Sequence, residues 1–240
     1  LLGSYPLAVL MRTPLDDLDL ARGFVLSERI VGGPAAIDSV EFCDDVEHEA
    51  ARGNVIRITL AAGQRVDPAQ LQRNTYVGSS CGICGKASVE RAMQCAPPLT
   101  ARARWPHAVF DGLADRLRGQ QPLFAATGGS HAAAAFDSAG AFLAVREDVG
   151  RHNATDKVIG ALALAGRWPL EGVGLLVSGR ISFEIIQKAL AAGIDLVVGV
   201  SAPTSLAIDL ASSAGVALVG FARGRRVTIY AGAERCDLAG

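Results

Sequence analysis

Hydrophobic positions in the second half of this chain fall into short runs of four to six residues, separated by longer stretches whose apolar residues recur at helical spacing. Bounded by Gly, Ser and Pro, the short runs read as strands and the longer stretches as helices. Strands are expected over 132–137, 141–147, 173–178, 196–200, 217–221 and 226–230, with helices over 153–165, 182–192 and 205–214. The late β-α-β-α-β order implies parallel strands joined by right-handed crossovers. Hairpin-like pairs at either end of this block make the sheet mixed.

The first part is patterned differently. Residues 5–11 read as a strand broken at Thr13-Pro14, and a helix over 17–29 follows, capped by Thr13 or Asp16. Runs 39–43 and 54–60 are β-branched and partly alternating. Residues 74–85 are rich in Gly, Ser and Cys with no apolar period, which reads as a loop and linker. Short helices are expected over 86–94 and 107–118, separated by Ala96-Pro97-Pro98. The organisation predicted is an N-terminal α+β domain (1–78), a cysteine loop and linker (79–95) and an α/β domain (96–240).

Composition supports the layered reading. Half of the 240 residues are hydrophobic but only 5% are aromatic, so the core is built from Ala, Val, Leu and Ile. Small side chains suit helices lying close on a sheet. Acids (24) and bases (23) nearly cancel, so no global field draws the protein to nucleic acid or an anionic membrane. No apolar stretch approaches the roughly 20 residues of a membrane helix. Five cysteines make no even disulfide framework, and the chain reads as cytoplasmic. It opens on Leu rather than Met, and an upstream segment is expected to be missing.

Against this background several polar segments stand out. In Ser79-Ser80-Cys81-Gly82-Ile83-Cys84-Gly85-Lys86, two thiols three residues apart precede a predicted helix. A helix N-terminus and Lys86 favour the nucleophilic thiolate. A lone CxxC leaves half a zinc site, a redox pair and inert thiols open, although four zinc ligands are not in evidence. Cys43, Cys95 and Cys236 read as packing residues.

Thr127-Gly128-Gly129-Ser130-His131 lets backbone approach a ligand, with His131 as a donor to phosphate or a mover of protons; a plain turn with a solvated histidine is the alternative. The run from Arg146 to Lys157 concentrates charge where a strand hands over to a helix, with Asp148 at the strand end and Arg151, His152 and Asn153 at the helix start. Carboxyl ends of parallel strands are where ligands bind in open sheets, whereas a capping segment with a solvated salt-bridge cluster is the bland counterpart. Ser178-Gly179-Arg180 and Ser201-Ala202-Pro203-Thr204-Ser205 end the next two strands. Phe221-Ala222-Arg223-Gly224-Arg225-Arg226 places three arginines around a tight turn, suited to bidentate phosphate contacts or a basic hairpin tip. One pocket joining these strand-end loops is expected, and Asp148→Ala or His152→Ala is expected to weaken binding there without unfolding the protein.

In this order the segments resemble the formate dehydrogenase accessory sulfurtransferase family, FdhD/NarQ. The resemblance spans nearly the whole chain and is most specific between Arg146 and Lys157. It implies a sulfur carrier that takes persulfide sulfur from a cysteine desulfurase and passes it to the bis-molybdopterin guanine dinucleotide cofactor of formate dehydrogenase. It implies Cys81 as the persulfide carrier, Cys84 as its assistant and the segment from Phe221 to Arg226 as the holder of the guanine nucleotide. It also implies a homodimer and a three-layer, mixed-sheet fold like that of the cytidine deaminases. The deaminase H-x-E pattern is absent, since His131 is followed by Ala132 and Ala133, so zinc-dependent deamination is rejected. No metal of its own is expected. Competing readings are a cofactor escort without sulfur transfer, a thiol-disulfide switch and a structural zinc protein.

Overall fold

A computed structural model describes residues 1–44, 49–66, 99 and 103–237. Its central element is a six-stranded mixed sheet of order β5-β4-β6-β7-β8-β9. The strands are β4 (His131–Phe136), β5 (Phe142–Asp148), β6 (Gly174–Val177), β7 (Leu196–Gly199), β8 (Ala217–Arg223) and β9 (Arg226–Ala231). β6, β7 and β8 are parallel, and β4–β5 and β8–β9 pair antiparallel at the two sides, as the alternation predicts.

Period-two alternation sorts these strands cleanly between two cores. Ala133, Ala135, Leu175, Val177, Val197 and Leu218 face the larger one, which also takes residues of α4 (Arg151–Leu164), α5 (Phe183–Ala192) and α6 (Ser205–Ala214). Ala132, Ala134, Phe136, Leu176, Val198 and Val219 face the smaller one, closed by Trp105, Phe110, Leu113 and Leu117. Trp105 belongs to the short strand β3 (Trp105–Pro106), which pairs with β10 (Cys236–Asp237). The expected helix over 107–118 is instead a 3₁₀ turn, His107–Phe110, followed by α2 (Leu113–Arg118), because Gly112 takes the left-handed conformation between them.

α1 (Asp17–Ser27) packs on α4 at very short range. A Cβ on Gly23 would lie 1.8 Å from the Asp156 carbonyl oxygen, and one on Gly160 would lie 1.9 Å from that of Asp19. Two glycines thus let the helix backbones touch. Beneath that seam Lys188 Nζ reaches Asp156 (2.9 Å), Glu28 (2.6 Å) and the Ser27 hydroxyl (3.1 Å). Burial alone would lower the Lys188 pKa, but Asp156 and Glu28 outweigh it and hold the ammonium well above its ordinary range.

The first part departs from expectation in two places. β1 (Ile37–Phe42) and β2 (Ile56–Leu60) form an antiparallel pair, but residues 6–11 form no strand and have no ladder partner among the described residues. Neither proposed cap serves α1: Asp16 is at the N-cap position in a left-handed conformation with its side chain turned to Arg146 at 3.4 Å. Helix α3 (Pro122–Thr127), unexpected from periodicity, is too short to show an apolar period; Pro122 at its start and Gly128 just past its end are the signals that mark it.

Candidate functional site

The C-terminal ends of β6, β7 and β8 open on one side of the sheet, and antiparallel pairing brings the start of β4 and the end of β5 to the same side. His131 pairs with Asp148 in register there. The turns are mutually fitted. A Cβ on Gly199 would lie 2.7 Å from Ile181, and one on Gly220 would lie 3.0 Å from Pro203. Ile181 bridges to Pro203, and the Phe221 amide donates to the Ser201 carbonyl at 3.3 Å. The strand-end loops around Ser178, Ser201 and Phe221 therefore form one continuous rim.

Two histidine–serine pairs hold its middle. Ser178 Oγ accepts from the Ala132 amide (2.9 Å) and lies 3.3 Å from His131 Nδ1. His152 Nε2, in the first turn of α4, lies 3.1 Å from Ser182 Oγ, just before α5. Ser182 therefore serves His152 and does not cap its own helix. Burial, Arg151 and Lys188 push the His152 pKa down to about 4 against the weaker pull of Glu184. Burial and Arg151 lower that of His131 as well. Both rings are thus neutral at neutral pH, with Arg151 the fixed cation beside them.

Other residues singled out by sequence turn inward. Asp148 is 0% exposed. Its carboxylate pairs with the equally buried Lys157 at 2.8 Å and accepts from the amides of Thr13 (3.1 Å) and Gly150 (3.0 Å) and from Asn153 Nδ2 (2.9 Å). Lys157 also donates to the Thr13 carbonyl at 3.0 Å. This buried knot ties the N-terminal segment to the β5–α4 turn, and it occupies the Asp148 carboxylate with partners inside the protein. Glu147 accepts from the Leu123 and Phe124 amides at 2.8 and 2.9 Å and so caps α3. The charged run is therefore neither wholly a ligand loop nor a solvated cluster: much of it is an internal joint. Thr127 is committed locally, donating to the Leu123 carbonyl (2.7 Å) and accepting from the Gly129 amide, while Gly128 ends α3 in a left-handed turn.

Phe221 is the least relaxed residue of the rim. Its φ is +53°, which costs a bulky side chain energy, yet 42% of it is exposed. The β8–β9 register shifts between Gly220 and Arg223, so the strand bulges there and turns the ring out. Arg223 and Arg226 sit directly opposite each other, a like-charge pairing that costs stability in a sheet. Arg225 pairs with Asp111 at 3.3 Å, and the Gly112 amide holds the Gly224 carbonyl at 2.9 Å. Ala222 is buried beneath the tip, and Arg180 is exposed on the neighbouring loop. Cys81 and Cys84 lie outside the described residues.

Arg151, expected from sequence within the strand-end pocket, and Ser182, read only as a helix-start residue, both join the rim. The clamp made by Thr13 was not foreseen; its partners lie more than 130 positions away, and no local signal announces such a contact.

Comparison with known proteins agrees with the motifs. The profile of the FdhD/NarQ family matches residues 2–237. A sulfur carrier protein FdhD from Streptomyces coelicolor is 44% identical over 99% of this chain and 86% of its own length. One from Mycolicibacterium paratuberculosis is 45% identical over 97% and 87%. In three dimensions the chain is similar to the crystal structure of a protein from Desulfotalea psychrophila assigned as a formate dehydrogenase accessory protein, with a TM-score of 0.72 at 22% identity over 94% of this chain and 82% of that one. The chain belongs to the FdhD/NarQ family.

Proposed function

We propose that this protein is a sulfur carrier that receives a persulfide sulfur on Cys81 from a cysteine desulfurase and delivers it to bis-molybdopterin guanine dinucleotide, bound as substrate, for formate dehydrogenase. The observation that carries the reading is the near-full-length similarity to proteins named sulfur carriers, in a chain that contains Cys81-Gly82-Ile83-Cys84. The strand-end rim supports it with a strained, outward aromatic at Phe221 for stacking a base and arginines 223, 225 and 226 for phosphate. Its remaining contributors are His131, His152, Ser178, Arg180 and Ser201. A cytidine-deaminase-like ancestry for the layered domain, a homodimer and a cytoplasmic site of action belong to the same reading.

The chemistry balances with the two cysteines. The Cys81 thiolate attacks the outer sulfur of the desulfurase persulfide, and the desulfurase cysteine leaves as a thiolate. Attack of Cys84 on the inner sulfur of the Cys81 persulfide then releases the outer one as sulfide and leaves a Cys81–Cys84 disulfide. The two electrons come from the thiol pair, and a cellular dithiol resets it. Intact-mass spectrometry after incubation with a desulfurase and cysteine tests the loading step. Wild type gains one sulfur mass and Cys81→Ala gains none; Cys84→Ser loads but retains the sulfur. An unchanged wild-type mass beside an active desulfurase favours the escort reading.

A further inference from the structure

The side of the rim away from Phe221 carries a second set of ligand-directed groups. Ser178 Oγ already accepts the Ala132 amide hydrogen, so its own proton is free for His131 Nδ1. When the hydroxyl donates to Nδ1 the ring carries its hydrogen on Nε2, and Nε2 has no partner among the described residues. Arg151 lies beside this ring. A Cβ on Gly179 would meet His131 Cε1 at 3.2 Å and Arg151 Cδ at 3.5 Å, so the glycine lies between the two side chains. Arg151 Nε is buried with no hydrogen-bond partner among the described residues. Each nearby carboxylate has another partner: Asp148 is paired with Lys157, Glu147 caps α3 and Glu184 interacts with Ser182 and His152. From α5 Lys188 is paired with Asp156 and with Glu28 of α1. The cation at Arg151 and the donor at His131 thus have capacity that no described residue fills.

The position of this pair matters. From β4 to β8 the sheet crosses β6 and β7, three interstrand steps or about 14 Å. An aromatic platform at one end and a cationic donor pair at the other match an elongated ligand with a base at one end and an anionic group beyond it.

We propose that His131 and Arg151 form an oxyanion subsite for a phosphate group of the cofactor substrate, filled with uptake of a proton by His131. This rests on the cofactor reading above. Without ligand, burial and Arg151 keep the ring neutral. A dianion between them reverses the local field and favours imidazolium, so binding is tightest at low pH and weakens as pH rises through the bound-state pKa of His131. Above that point the Nε2 hydrogen still donates, and a weaker affinity persists.

Sulfate is the probe, because its charge is fixed across the titration range. Proton NMR of the full chain, followed from pH 4.5 to 8, reports the His131 ring, and the partly exposed His107 ring is the control. Saturating sulfate raises the His131 midpoint by about one unit or more and moves His107 less. Arg151→Gln raises the sulfate-free midpoint and abolishes the response to sulfate. A His131 midpoint that sulfate leaves in place, or that moves no more than that of His107, overturns the subsite. Calorimetry with guanosine monophosphate on the same sample separates the two readings. Nucleotide binding with an unmoved His131 overturns the subsite alone. A sulfate-responsive His131 without nucleotide binding leaves an anion site in place but overturns its assignment to a cofactor phosphate.

Discussion

The α1–α4 seam and the strand-end rim are built from the same residue types and treat them in opposite ways. In the seam Lys157 has Asp148, Lys188 has Asp156 and Glu28, and Arg146 has Asp16 and Asp19. At the rim Arg151 Nε has no partner among the described residues, both histidines are held neutral, and Phe221 is strained and outward. A polar residue therefore points to function here when its hydrogen-bonding capacity is left over, not merely when it sits in a charged segment. Asp148 and Arg151 are three positions apart and fall on opposite sides of that line.

The sharpest way to break the comparison is within the seam. Lys157→Met leaves the fully buried Asp148 carboxylate uncompensated and is expected to cost about 3–5 kcal/mol in urea unfolding. Asp148→Ala, expected from sequence to weaken binding alone, is expected from the structure to destabilise the fold comparably. Lys157→Met combined with Asp148→Leu recovers most of the loss. Full stability in Lys157→Met would mean that the knot is no joint. Next in size, Gly23→Ala drives a methyl group into the Asp156 carbonyl and is expected to cost about 3 kcal/mol, visible in the same unfolding curves.

Effects at the rim are smaller and differ in kind. His152 is held at about 4, below its unfolded value of 6.5. Its contribution to stability is complete above pH 6.5 and is lost as pH falls toward 4, on the order of 2 kcal/mol. His152→Gln flattens the stability profile in that window, whereas an unchanged slope would assign the dependence elsewhere. Phe221→Gly relieves the left-handed backbone, so stability holds or rises by about 1 kcal/mol. The same change is expected to abolish binding of guanosine monophosphate in calorimetry. Equal binding by wild type and variant would remove Phe221 from the site.

How much of this was legible in the chain follows from range. Short apolar runs mark β4 to β9 because strand burial imprints on neighbouring residues, and helix 205–214 matches α6 at both ends. Within the apolar run at 5–11, residues 6–11 have strand composition without a strand partner among the described residues, and composition cannot supply one. Ser178, His131 and Phe221 were readable as strand-end residues. The burial of Asp148 was not, because it depends on Lys157, nearly two helical turns beyond α4's start, and on Thr13 far upstream. Phe221 gave no sign of its strain, since φ follows from the bulge against β9 and not from the residue type.

The account is tested most directly by following sulfur through the whole path. Desulfurase, [35S]cysteine, the full chain and molybdenum cofactor are combined, and label is read separately on protein and cofactor. The account predicts label on both in wild type and on neither in Cys81→Ala. In Phe221→Gly it predicts label on the protein with little on the cofactor. Cofactor labelled equally well through Cys81→Ala would contradict it.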